Sequence, residues 1–253
     1  MIKKDMPLKD ISVLKEFLSI PVHSADGVFD RFAALPGAII RGKGQERFLY
    51  VPGTRQNKVL LVAHADTYWC HKAKADWTEQ NLVQEGHIIR NANGGLGADD
   101  RAGCAIIWQL RELGHSILIV DGEESGLLGS FWLMNHNQDI AEAINNDHQF
   151  MVEFDRSNGR EFKCYGVGTD AFREFVRMAT GYTEPDRMRR SDIVALCKRI
   201  AGVNLSMGSL REHTKQEALD VREWQRTLDI CREWLGQKKL ALFMRDEEPV
   251  MLA

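Results

Sequence analysis

Lys58-Val59-Leu60-Leu61-Val62-Ala63-His64-Ala65-Asp66 is the stretch from which the rest of the chain can be read. Val59 to Ala63 is an unbroken apolar run, too short for a helix and without alternation. That is the pattern of a strand buried on both faces, which belongs in a sheet covered by helices. The strand delivers an imidazole and an acid, His64 and Asp66, to its carboxyl end. Two further runs repeat the arrangement. Ser116-Ile117-Leu118-Ile119-Val120 leads into Asp121-Gly122-Glu123-Glu124-Ser125, and Gln149-Phe150-Met151-Val152-Glu153-Phe154 leads into Asp155. Val203-Asn204-Leu205-Ser206 reads as the last strand, and a loop over 207–212 carries it to His213.

Helical patterns separate these strands. Leu8, Ile11, Leu14, Phe17 and Leu18 fall at helical spacing until Ile20-Pro21, and Val28 and Phe32 mark a second short helix. Behind Gly97-Ala98-Asp99-Asp100-Arg101-Ala102-Gly103, the residues Ala102, Ala105, Ile106, Leu110 and Leu113 define one face. Cys104, Ile107 and Trp108 widen it, as expected of a buried helix, and Gly114 suits its C-terminal end. Further helices are predicted through Leu128–Met134, Ile140–Ile144 and Thr169–Ala179, with another beginning at Ser191-Asp192. Thr214-Lys215-Gln216-Glu217 has the form of a capping box opening the C-terminal helix, whose core face is Val221, Trp224, Leu228, Cys231 and Leu235. Short strands are expected at Gly37–Arg41, Arg47–Val51 and Glu161–Tyr165, and a small hairpin ends a polar loop at His87–Arg90. Strands alternating with helices predict one α/β domain over residues 1–253, with no repeat, linker or low-complexity tract.

Composition narrows the function classes. The 253 residues are 44% hydrophobic with a net charge of −3, and no basic run offers a footprint for nucleic acid. No segment has the length and apolarity of a signal peptide or membrane span. Five scattered cysteines, odd in number and with no CxxC, suit reduced thiols. A soluble cytoplasmic protein is the expectation.

Ligands of open α/β sheets bind beyond the carboxyl ends of the strands, so one pocket is expected to collect His64, Asp66, Glu123, Glu124, Asp155 and His213, with Asp99 opening a helix beside them. Clustered carboxylates repel one another, and divalent cations resolve the conflict. Imidazole plus carboxylate without thiolate suits zinc, with cobalt or manganese as alternatives, rather than an all-oxygen calcium or magnesium cage. Each residue also has an ordinary reading. Asp66 can form a turn, Glu123-Glu124 can complement a helix dipole, and His213 can be an early residue of the last helix. Gly94-Gly95-Leu96-Gly97 follows polar residues rather than a buried strand, so it lacks the context of a dinucleotide loop.

Taken in order, His64-Ala65-Asp66, Gly97-Ala98-Asp99-Asp100-Arg101-Ala102-Gly103, Glu123-Glu124-Ser125-Gly126, Asp155 and Glu212-His213 resemble the motifs of the co-catalytic di-zinc exopeptidases. That superfamily includes peptidase T, glutamate carboxypeptidase, the N-acyl-amino-acid deacylases and the bacterial leucyl-type aminopeptidases. The resemblance implies a three-layer αβα sandwich around a mixed, mostly parallel sheet. It implies two zinc ions per chain, one bound by His64 and Asp155, the other by Glu124 and His213, with Asp99 bridging. Asp66 would orient His64, and Glu123 would be the general base. A cis peptide between Asp99 and Asp100 is also implied. Fewer than sixty residues separate Asp155 from His213. That leaves no room for the roughly hundred-residue dimerisation domain of the carboxypeptidases and deacylases. The resemblance therefore favours a single-domain aminopeptidase acting on peptides, ahead of a deacylase or carboxypeptidase taking acylated amino acids. A silent metal- or peptide-binding protein would have no use for Glu123. Tyr165 and Tyr182 are candidates to stabilise an oxyanion, and Cys70 and His71 are candidate substitute ligands.

Overall fold

The apolar runs do lie side by side. The computed structural model describes residues 11–71, 76–186 and 191–245; Leu8 lies outside them. Helices α1 (Ser12–Leu18) and α2 (Asp26–Ala33) precede an antiparallel pair, β1 (Ile39–Lys43) and β2 (Glu46–Val51). Strand β3 (Leu60–His64) is followed by the short α3 (Tyr68–His71) and a hairpin of β4 (Leu82–Glu85) and β5 (Ile88–Asn91). Helix α4 (Ala98–Leu110) ends in a 3₁₀ turn before β6 (Ser116–Val120), α5 (Leu128–His136) and α6 (Gln138–Asn146). Next come β7 (Met151–Arg156), β8 (Phe162–Lys163), α7 (Asp170–Thr180), α8 (Asp192–Leu196) and β9 (Gly202–Ser206). Two short strands, β10 (Ser209–Leu210) and β11 (Ala218–Asp220), lead into α9 (Val221–Leu235).

The main sheet has the order β1-β2-β6-β3-β7-β9-β8. Its four consecutive strands β6, β3, β7 and β9 are mutually parallel, while β2 and β8 run the other way. Alternate residues of these strands enter separate cores. Leu61, Ala63, Ile117 and Ile119 face α1, α2, α4, α7 and α9, whereas Leu60, Val62, Leu118 and Val120 face α5, α6 and α8. Both faces are covered, which explains the lack of alternation in the sequence. The architecture is the expected three-layer αβα sandwich around a mixed, mostly parallel sheet.

Two expectations are corrected. Val203–Ser206 is not the last strand, because β10 and β11 join β5 and β4 in a second, four-stranded antiparallel sheet. Strands of two and three residues carry no period that a sequence could reveal. Nor does Thr214-Lys215-Gln216-Glu217 cap the last helix. That helix starts at Val221 with Asp220 as its N-cap, the carboxylate accepting from the backbone N–H of Arg222. Glu217 has a distant partner instead. The glycines 94 and 95 have a packing reason rather than a ligand-binding one. A Cβ at either would overlap the rings of Trp77 and Trp69, which pack edge to face 4.9 Å apart.

Candidate metal centre

The carboxyl ends of three adjacent parallel strands put their loops side by side. His64 is the last residue of β3, Asp155 lies at the end of β7, and the turn after β6 carries Glu123 and Glu124. Asp99 enters from the start of α4, where its φ and ψ and those of Asp100 are not helical and the peptide between them is cis. The regular helix therefore begins after Asp100. The Asp100 carboxylate accepts from the Gly103 N–H at 2.9 Å and from the His64 N–H at 3.3 Å, tying the helix start to the end of β3. Gly103 must be small there, since a Cβ would overlap the Phe154 carbonyl oxygen and the Asp100 carboxylate.

Five of the residues meet in two groups that share Asp99. His64 Nε2 lies 3.0 Å from Asp99 Oδ1 and 3.2 Å from Asp155 Oδ1. His213 Nε2 lies 3.1 Å from Asp99 Oδ2 and 2.7 Å from Glu124 Oε1. Within each group the candidate ligand atoms all lie within 4.8 Å of one another. The two oxygens of Asp99 thus face opposite groups, as a bridging carboxylate requires.

The donors fit a cation better than they fit each other. His64 Nδ1 is 3.1 Å from the Asp66 carbonyl oxygen and 3.3 Å from its carboxylate, a pairing that places the ring proton on Nδ1. Nε2 then faces two carboxylate oxygens, a position that a proton or a cation fills. Glu124 Oε1 is buried and makes no hydrogen bond despite its closeness to His213, so the two atoms converge side by side. Burial disfavours a charged His64, yet Asp155, Asp66 and Asp99 hold it well above its usual range. His213 is affected in the same way: burial opposes its charge, but Asp99 and Glu124 push it up to about 10. Burial raises Asp155 to about 7 and Glu123 well above the carboxylate range. The pocket is over-supplied with negative charge, and imidazole–carboxylate donors of this kind suit zinc-type ions.

Supporting side chains hold these groups in place. Asp66 accepts from the backbone N–H groups of Glu123 and Glu124, each at 3.2 Å, so this acid serves the β6 turn as well as His64. Asn204 on β9 accepts from the Asp155 N–H at 3.0 Å and donates to its Oδ2 at 3.3 Å. The Tyr68 ring stacks on His213, centroids 4.8 Å apart and 12° from parallel. Arg101, fully buried, donates to the carbonyls of Ala65 and Ser24 behind the end of β3. Glu217 reaches back to the start of α4, accepting from Gly97 N–H at 2.7 Å and Asp99 N–H at 3.1 Å. Asn204 and Tyr68 carry no motif, an asparagine inside an apolar strand being the one visible oddity, and Glu217 showed only the pattern of a helix cap.

Other candidates fall elsewhere. Cys70 Sγ donates to the Val22 carbonyl at 3.0 Å, and His71 Nε2 lies 3.8 Å from Asp121 Oδ1, outside both groups. Tyr182 pairs its hydroxyl with Thr227 at 2.7 Å, in the core formed by α1, α2, α4, α7 and α9. Tyr165 is buried behind Asp155, its hydroxyl 3.5 Å from Asn204 Nδ2.

No family model and no characterised protein matches the chain in sequence. Solved structures do match it in shape. An aminopeptidase from Bacillus cereus superposes over 90% of this chain and 97% of its own, at 13% identity and a TM-score of 0.65. A tripeptidase from Staphylococcus aureus covers 91% of this chain and all of its own, at 14% identity and a TM-score of 0.62. The TET1 peptidase of Pyrococcus horikoshii, which assembles into a tetrahedron or an octahedral shell, covers 87% and 97% at 12% identity and a TM-score of 0.60. Across nearly the whole described chain, then, this protein has the fold on which those peptidases are built.

Proposed function

We propose that the chain is a metal-dependent exopeptidase, an aminopeptidase working with two divalent cations, zinc foremost. His64 and Asp155 would hold one, Glu124 and His213 the other, and Asp99 both. The observation that carries the reading is the placement of the two Asp99 oxygens against two different histidines. Cations held there would supply Lewis acidity, activating a water molecule and polarising the scissile carbonyl. Glu123 then removes the proton of the attacking water and passes it to the leaving amine. Its neighbour Glu124 turns towards His213, and Asp66 fixes the backbone of both, so adjacent glutamates divide two tasks. Fold likeness to aminopeptidases and a tripeptidase supports the choice of substrate. The interval from Asp155 to His213 is occupied by β8, α7, α8, β9 and β10, which supports one catalytic unit without an inserted domain.

The test is Glu123→Gln assayed on aminoacyl anilides and on N-blocked dipeptides. Turnover of the anilides should fall about 10²–10⁴-fold with cation content unchanged. Wild-type cleavage confined to the blocked substrates would assign a deacylase or carboxypeptidase, and undiminished turnover by the variant would remove Glu123 from the reaction.

A further inference from the structure

Glu217 is almost wholly buried, with 1% of its surface exposed. A carboxylate so placed is costly unless its oxygens are satisfied. Both are satisfied by backbone: Oε2 by the Gly97 N–H and Oε1 by the Asp99 N–H. Those two groups flank Ala98 at the start of α4, where the chain has left-handed Gly97 and non-helical Asp99. No element of secondary structure satisfies them. Four residues before Glu217 on the same turn, His213 touches the Asp99 carboxylate. One short segment therefore grips Asp99 twice, at its side chain and at its backbone.

From this geometry we infer that Glu217 is the positioning residue of the bridging acid, and that it couples the His213 half of the centre to the His64 half. The inference rests on the two-cation reading above. A carboxylate is needed for a simple reason. Two N–H donors require two acceptor atoms, and a glutamine of the same shape has one, its NH₂ facing a donor. With Glu217 lost, Asp99 is free to turn about its backbone. His64 and Asp155 keep their own supports, Asp66 and Asn204. His213 and Glu124 are held from a loop and a turn, by the Tyr68 ring and by the Glu124 N–H on Asp66, so their half leans more on the second Asp99 oxygen than the strand-end pair does on the first. The defect is therefore asymmetric.

Metal-free wild type, Glu217→Gln and Glu217→Asp are titrated with Co²⁺ by calorimetry and visible absorption, alongside unfolding of each metal-free chain and kcat and KM of the loaded protein. The expected result is a first Co²⁺ bound within about threefold of wild type and a second bound roughly 10–100-fold more weakly, the range seen when a group supporting a metal ligand is removed. The kcat should fall by a similar factor, with KM little changed. Glu217→Asp, which keeps the charge but withdraws the carboxyl by one methylene, should show the same pattern. Unchanged second-site affinity and kcat would overturn the inference. So would equal weakening of both sites in step with lost stability, which would assign a purely structural role. Wild type that takes up fewer than two Co²⁺ would refute the two-cation reading itself, and this inference with it.

Discussion

His64 and Asp155 stand at the ends of adjacent parallel strands, whereas Glu124 and His213 come from a turn and a loop. The first pair inherits its spacing from the ladder between β3 and β7, and both residues are tied further by Asp66 and Asn204. The second pair has no ladder. His213 has a left-handed backbone, and it is held by a stacked tyrosine and by the segment that ends in Glu217. The two histidines differ in exposure as well, 1% for the His64 side chain and 36% for that of His213. A strand end is placed by many hydrogen bonds shared with the whole sheet, so it is stiff at little local cost. A loop ligand needs dedicated contacts, and those are found around His213. On the proposed two-cation reading, the contrast makes the β3–β7 half a preformed site and the other half a conditional one.

The largest effect should come from Asp99, where the halves meet. Asp99→Ala is expected to abolish both cation sites and all turnover, whereas Asp100→Ala should mainly cost stability, about 1–3 kcal/mol for two buried N–H groups left without an acceptor. Metal analysis and denaturant unfolding separate the two variants, and retention of two cations by Asp99→Ala would break the bridged arrangement. Next in size are substitutions that touch one half. Asn204→Ala should weaken the cation held by His64 and Asp155 by about 10–100-fold, and Tyr68→Ala the one held by His213 and Glu124, by less because the half is already looser. Stepwise Co²⁺ titration reads this directly; equal effects of either variant on both steps would erase the distinction.

The smallest effect concerns the opposite end of β6, away from both halves. His115 accepts from the Val59 N–H at Nδ1 and lies 3.0 Å from the Leu235 carbonyl at Nε2, and burial lowers it to about 4. Between that value and the ordinary 6.5 the unfolded chain binds a proton that the folded chain does not. The histidine therefore stabilises fully above about pH 6.5, and that contribution fades as the pH falls towards 4, by on the order of 1–3 kcal/mol. Unfolding of the metal-free protein at pH 7 and pH 4.5, with and without His115→Gln, should show the variant losing less on acidification. An equal loss would place the titration elsewhere.

Most of the scaffold was legible in the chain. The largely apolar runs at 59–63, 116–120 and 149–154 identified buried parallel strands, and the threes and fours of Val221, Trp224, Leu228, Cys231 and Leu235 identified the core face of α9, every one of them buried. The placing of His64, Asp155 and Glu123-Glu124 at strand ends followed from those runs, because a ligand next to a regular element inherits its position. What failed were readings of residues whose partners lie far along the chain. Asp66 was expected to orient His64 and lies beside it, and its carboxylate also accepts from two backbone groups fifty-seven and fifty-eight residues away, which no local pattern announced.

Glu217 marks the boundary most clearly. A threonine three residues before a glutamate satisfies the local pattern of a helix cap, and the sequence by itself determines only that such a carboxylate seeks backbone N–H groups. The tertiary structure decided which ones: they belong to Gly97 and Asp99, 120 and 118 residues earlier. Periodic burial is written locally, since each side chain's face is set by its own backbone turn, and the sequence therefore determined the strands, the helices and the residues at their ends. Hydrogen bonds between irregular segments leave no such period. The meeting of His213 with Asp99, the second sheet and the Glu217 grip were settled only when the folded chain brought those segments into contact.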